Sequence, residues 1–152
     1  MRRKWTIVWM MFLLLCMALF GGCGTAEQGS ITPQAEEASI DVNGSYTTPE
    51  DVALYLHIYG ELPDNFMTKK EAEALGWDSK KGNLWEVAEG MSIGGDTFGN
   101  YEGNLPEEEG LTYRECDVNY EGGYRGSERI IYSNQGDIYY TADHYETFAE
   151  LY

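Results

Sequence analysis

The sequence predicts an α+β fold, with N-terminal helices packed on a C-terminal antiparallel β-sheet. Three observations carry this. Between Thr48 and Ala88, apolar residues recur at helical spacing behind helix-start signals. Between Gly90 and Leu151, short alternating segments are separated by Gly, Asn and Asp. Helices gathered ahead of strands bury their apolar stripes on one face of the sheet. A chain of 152 residues holds one ordinary domain and a remainder.

The remainder comes first. Arg2, Arg3 and Lys4 precede an almost wholly apolar run from Trp5 to Phe20, and Gly21-Gly22 then lead to Cys23. That is the anatomy of an export signal over residues 1–22. The run is shorter than the roughly 20 residues of a comfortable membrane span. Leu19-Phe20-Gly21-Gly22-Cys23 resembles a bacterial lipobox, in which Cys23 is lipidated and becomes the new N-terminus, although Phe20 stands where a smaller aliphatic is usual. Cleavage after Ala26 and an uncleaved anchor are the alternatives. Residues 23–47 are small and polar and read as a tether, the alternative being an extension packed on the domain. The domain then runs over 48–152.

Thr48-Pro49-Glu50-Asp51 starts the first helix: Thr48 caps, Pro49 suits the first turn, and the acids face the positive end of the dipole. Val52, Tyr55, Leu56 and Tyr59 form its apolar stripe and Gly60 stops it. Thr68-Lys69-Lys70-Glu71 has capping-box spacing for a second helix that buries Ala72 and Leu75 and ends at Gly76. A short third helix is expected at Asn83–Ala88. Strands follow at Ser92–Thr97 (interrupted by Gly94-Gly95), Leu111–Val118, Glu128–Ser133 and Asp137–Asp143, with a last edge strand at Thr147–Leu151. Asn134-Gln135-Gly136 closes a hairpin.

Charge narrows the function. Ten basic residues against 26 acidic ones give a formal −16. Loss of Arg2, Arg3 and Lys4 with the signal leaves 7 against 26, a formal −19. This excludes a protein that coats nucleic acid with a broad basic face, but not a small cationic site. Of three cysteines, Cys16 lies in the signal, Cys23 at its end and Cys116 in the domain, so the domain has no internal disulfide. Cys116 reads as a small buried residue.

Three strand segments carry unexpected charge. Tyr113, Glu115 and Asp117 share one face by period two; Arg129 lies on the face of Ile131, with Arg125 upstream; His144 follows on the face of Tyr140 and Ala142. A carboxylate and an imidazole make a workable base and acid near neutral pH, and guanidinium groups beside them stabilise a phosphoryl group as its charge grows. Each position also has a plainer reading: a solvated Glu, a structural Asp–Arg pair, a surface His.

The blocks Leu62-Pro63-Asp64-Asn65, Thr68-Lys69, Ala74-Leu75-Gly76-Trp77, Lys81-Gly82-Asn83-Leu84, Ser92-Ile93-Gly94-Gly95-Asp96, Arg114-Glu115, Asp117-Val118-Asn119-Tyr120 and Asp143-His144-Tyr145 run in order and at matching spacing. Together they resemble the barnase-like bacterial guanyl-preferring ribonucleases over roughly Thr48 to Leu151. The resemblance implies the microbial ribonuclease fold and an extracellular enzyme that cleaves single-stranded RNA without metal or other cofactor. It implies Glu115 as general base, His144 as general acid, Arg125 and Arg129 on the phosphate, and Lys69 on the charged transition state. It implies substrate contacts from Phe98, Gly99, Asn100, Tyr101, Glu102 and Tyr145, and places Asp117 and Asp96 behind them. Glu102 would accept from the N1–H and N2–H edge of guanine. A monomer is expected, held to a membrane only through lipid at Cys23.

The chain departs from that pattern. Tyr101 stands where Arg is common, Gly99 where Ser is, and the exterior is acidic. The acidic surround predicts weak binding to a barstar-like inhibitor, which meets such enzymes through a basic rim. A catalytically silent surface domain that binds a protein partner is the alternative function.

Overall fold

The computed structural model describes residues 39–152. The expected export signal, Cys23 and most of the expected tether lie outside the described residues.

The α+β expectation holds. The order is α1 (Pro49–Tyr59), β1 (Phe66–Met67), α2 (Lys69–Ala74), α3 (Leu84–Val87), β2 (Ser92–Phe98), β3 (Tyr113–Asp117), β4 (Arg129–Ser133), β5 (Ile138–Thr141) and β6 (Ala149–Glu150). The six strands form one sheet in chain order, β1 parallel to β2 and every later pair antiparallel. β1 was not anticipated. Two residues are too few for any period, and pairing with Ser92 and Ile93 makes them a strand.

Local chemistry sets the helix ends. Thr48 Oγ1 accepts from Asp51 N at 3.2 Å, and Gly60 closes α1 with φ +73, its N–H on Leu56 O. α2 has the complete capping box: Thr68 Oγ1 accepts from Glu71 N, and Glu71 accepts from Thr68 N at 2.8 Å. The helix is shorter than its apolar spacing suggests. It ends at Ala74, Ala72 is buried, and Leu75 is half exposed because the chain has already turned outward toward Gly76.

Strand pairing separates two faces. Cys116, Ile130 and Tyr140 stand in register on one face and Glu115, Ile131 and Tyr139 on the other, followed there by Asp117, Arg129 and Thr141. α1 covers the first face, packing Val52, Ala53 and Leu56 against Cys116, Val118, Ile130 and Ile138. A second cluster gathers Ala72, Trp77, Leu84, Ile93 and Tyr120. The opposite face starts with Leu105, Tyr113, Ile131 and Tyr139 and then turns polar. This change from apolar to polar along one face positions the site. Burial pushes the Cys116 thiol up, consistent with a packing residue.

Two expected boundaries move. The tether was read to residue 47, but the domain holds this backbone from Ile40 onward. Tyr59 Oη donates to Ile40 O at 2.7 Å and Tyr55 Oη to Val42 O at 2.9 Å. Asn65 donates to Tyr46 O and accepts from Tyr46 N, and Asn119 N donates to Thr47 O. The α1 tyrosines that periodicity assigns wholly to the core reach this segment with their hydroxyls. The last strand shrinks to Ala149–Glu150, although Ile138 still bonds the backbone of Leu151 and Tyr152.

Candidate active site

Glu115 sits at the middle of β3 and is 6% exposed. A buried carboxylate needs partners. Lys69 Nζ lies 2.7 Å from its Oε1, and Tyr145 Oη donates to its Oε2 at 2.5 Å. Burial alone would raise its pKa. The hydrogen bonds from Lys69 and Tyr145 and the charges of Lys69 and Arg125 outweigh burial and hold it below the usual carboxylate range. Tyr145 shifts the other way, pushed up by burial and by its bond to Glu115.

Lys69 reaches Glu115 from the first turn of α2. Asp96 Oδ2 accepts from Lys69 N at 2.9 Å, so Asp96 pins the start of that helix to β2. Between Gly94 and Asp96 the β2–β3 register slips. Gly95 takes φ +92 there, a conformation L side chains rarely adopt, and the bulge brings Asp96 opposite Glu115.

Asp117 lies two residues on, 2% exposed. Arg125 grips it with a fork, Nε to Oδ2 and Nη2 to Oδ1, both at 2.6 Å. Burial disfavours the Arg125 charge, but its bonds to Asp117 and the nearby carboxylates raise its pKa. Arg129 Nε comes within 2.9 Å of Asp117 Oδ1, an ion pair by distance, but its N–H is not aligned for a hydrogen bond. Arg129 Nη1 instead donates to Gly126 O and Glu128 O. The two arginines therefore differ: the Arg125 side chain is 20% exposed and faces solvent, whereas that of Arg129 is 3% exposed and supports Asp117 from beneath.

His144 corrects the strand reading. β5 ends at Thr141, so no strand face carries His144. It stands exposed in the following loop at φ +58, with Tyr145 at φ +76. Asp143 ties this loop: its carboxylate accepts from Thr147 Oγ1, Thr147 N and Thr141 Oγ1 at 2.6–2.9 Å. The bonds from Thr147, joined by Thr141 and opposed by slight burial, hold the Asp143 pKa down at about 2. Thr141 Oγ1 in turn accepts from Tyr145 N. The turn sends Tyr145 inward to Glu115, with its ring 4.6 Å from His144 and 5.1 Å from Phe98. His144 and Phe98 thus flank Tyr145.

The loop after β2 is only partly free for a ligand. Tyr101, at 94% exposed, and exposed Gly99 and Glu102 face solvent. Asn100 does not. It is 8% exposed, and its side chain donates to Leu105 O at 2.9 Å and accepts from Leu105 N at 3.1 Å. Its φ of +42 suits Asn. Asn100 therefore shapes the loop from inside, and a direct side-chain contact with substrate does not follow from this geometry. Sequence spacing gave no signal for that, nor for the Asp143 clamp.

Fold and polar face together define an α+β protein of the microbial ribonuclease fold. The chain belongs to the ribonuclease family, whose sequence model matches residues 49–152. It is 44% identical over 160 aligned residues to a ribonuclease of Bacillus pumilus, covering 98% of this chain and 99% of that protein. It is 43% identical over the same length to a ribonuclease of Bacillus intermedius, with the same coverage. A ribonuclease of Heyndrickxia coagulans is 55% identical over 104 residues, 68% of this chain and 95% of that one. The barnase-like resemblance is thereby shown.

Proposed function

We propose that the chain is an extracellular endoribonuclease that cleaves single-stranded RNA after guanosine, through a 2′,3′-cyclic phosphate that is then hydrolysed. The observation that carries the reading is Glu115, a buried carboxylate kept ionised between Lys69 and Tyr145 beside two arginines. Glu115 takes the proton of the 2′-hydroxyl, and that oxygen attacks the adjacent phosphorus. His144 gives a proton to the departing 5′-oxygen. Substrate phosphate competes with Glu115 for Lys69, so the carboxylate becomes more basic as the reaction begins. Lys69 and Arg125 then face the extra negative charge of the pentacoordinate phosphoryl, which fixed cations stabilise more than the ground state. Arg129 acts through Asp117. Guanosine preference rests on exposed Glu102 and on loop N–H groups held by Asn100; adenine would leave the carboxylate unpaired.

Export over residues 1–22, with or without lipid on Cys23, completes the reading; mass spectrometry of the membrane fraction decides the lipid. The purified chain is expected to cleave single-stranded RNA in EDTA and leave cyclic-phosphate ends. Glu115→Ala and His144→Ala are each expected to lower kcat/KM by about 10²–10⁴. A folded chain that leaves RNA intact would overturn the reading in favour of a silent, partner-binding domain.

A further inference from the structure

Arg114 precedes Glu115 in β3, and alternation sends its side chain to the opposite face of the sheet. There it stands exposed in a cleft of about 610 Å³ past the end of α1, beside Phe66, Thr68, Gly95 and Tyr132. Glu61, Asp64 and Glu71 line the same cleft. No ion pair among the described residues includes Arg114. Its guanidinium passes these carboxylates by and donates from Nη1 to the backbone carbonyl of Gly95 at 2.5 Å.

That carbonyl belongs to the bulge of β2. Gly94 pairs with Cys116 and Asp96 with Glu115, so Gly95 has no partner in the register. The residue that a bulge leaves over loses its ladder bonds. A cationic donor holds a carbonyl about twice as strongly as a neutral one. Before the bulge the strand lies hard against the core: a Cβ on buried Gly94 would come within 2.6–2.9 Å of Cys116, Phe66 and Leu62. After it, Asp96 accepts from Lys69 N at 2.9 Å. A Cβ on Gly95 would stand 3.6 Å from Thr68 Cγ2, so the bulge also touches the cap of α2. These contacts end at Lys69 Nζ, 2.7 Å from Glu115 Oε1.

We propose that Arg114 is a positioning residue for Lys69, acting from the face of the sheet opposite the active site. It fixes the Gly95 carbonyl, the bulge aims Asp96, and Asp96 sets the turn of α2 that delivers Lys69 to Glu115. As an effect on rate, this role rests on the ribonuclease reading above. Without the guanidinium, Asp96 shifts with the bulge and Lys69 withdraws from Glu115. Asp96 and Asp117 stand beside Glu115 on its sheet face, and Arg125 and Tyr145 approach it from loops. Withdrawal of Lys69 leaves burial and the neighbouring carboxylates opposed only by Arg125 and Tyr145, so the Glu115 pKa rises.

The test uses Arg114→Met, which keeps an apolar stem, and Arg114→Lys, which keeps a charged donor. On single-stranded RNA, Arg114→Met is expected to lower kcat about tenfold with KM nearly unchanged. It is also expected to move the acid limb of the pH–rate profile to higher pH. Arg114→Lys is expected to recover most of both. In a Lys69→Met background, Arg114→Met is expected to move the acid limb no further, because the route through Lys69 is already cut. An unchanged kcat in Arg114→Met overturns the proposal, as does a Lys variant no better than the Met variant. An equal acid-limb shift in both backgrounds also overturns it, because Arg114 would then act on Glu115 by charge alone. A parent that leaves RNA intact overturns the ribonuclease reading instead. ¹³C NMR titration of the Glu115 carboxylate in the same variants then decides the positioning role: no upward shift in Arg114→Met, or the same shift with and without Lys69, overturns it.

Discussion

Asp117 compensates two guanidinium groups at once, and one of them, Arg129, is as buried as Asp117 itself. Removing the carboxylate leaves a buried cation with no counter-charge, and a single broken buried pair of this kind costs about 3–5 kcal/mol. Asp117→Ala is therefore expected to lose that much in urea unfolding, whereas a loss under about 1 kcal/mol would mean that Arg129 finds another partner or water. Glu115 makes a different argument. Its pKa is lowered in the fold, so its contribution to stability is present above the unfolded carboxylate pKa and fades as pH falls through the folded value. Lys69→Met removes the strongest opponent of burial, and burial then raises the Glu115 pKa. Because the base must be ionised, the acid limb of the pH–rate profile is expected to move to higher pH, along with a lower maximal rate. An unmoved acid limb would show that this limb reports another group. Which residues would gather was legible from the strand faces and the family resemblance: Lys69 and Tyr145 meet on Glu115, and Arg125 on Asp117. The inequality of Arg125 and Arg129, and the inward turn of Asn100, were not. They depend on side-chain geometry in loops and at the start of β4, which spacing does not encode.

At the scale of elements, α2 is a six-residue helix whose purpose is the placement of Lys69. So short a helix does not hold itself. Thr68 and Glu71 cap it from within and Asp96 pins its first turn to the sheet. Thr68→Ala removes the hydroxyl half of the capping box and leaves Glu71 bonded to the backbone N–H of residue 68, for about 1 kcal/mol of stability, and loosens the turn that aims Lys69. A drop in kcat with KM nearly unchanged is expected, read alongside thermal unfolding; loss of stability with full kcat would show that Asp96 alone aims the lysine. The capping signals were readable because they are local: three residues from Thr68 to Glu71, one turn from Thr48 to Asp51. β3, β4 and β5 were readable because their β-branched and aromatic residues, packed on both faces, stand between clear turn signals such as Asn134-Gln135-Gly136. β1 and the His144 loop were hidden for the converse reason. β1 exists only through pairing with Ser92 and Ile93, distant in sequence, and His144 is aimed by an Asp143 network that imitates no periodic pattern.

Across the whole molecule, 26 acidic residues outnumber ten basic ones, and Lys69 and Arg125 stand together at the site. The long-range field repels RNA while the contact field at Lys69 and Arg125 attracts it, and salt separates the two by distance. The Debye length is about 30 Å at 0.01 M salt and about 8 Å at 0.15 M. At the lower value every surface carboxylate opposes an approaching strand. At the higher one the remote carboxylates are screened, and the cations within a few ångströms of the phosphate still act. kcat/KM on single-stranded RNA is therefore expected to rise from about 0.01 M to about 0.1 M NaCl and to fall at still higher salt, where the phosphate contacts themselves are screened. Converting Glu107, Glu108 and Glu109 to Gln is expected to raise the low-salt rate several-fold and flatten the rise, because these exposed acids crowd the end of β3 where the base loop lies. A monotonic decline with salt in the parent would mean that the cationic cleft governs the encounter at every distance, and the acidic exterior would then have no part in substrate approach.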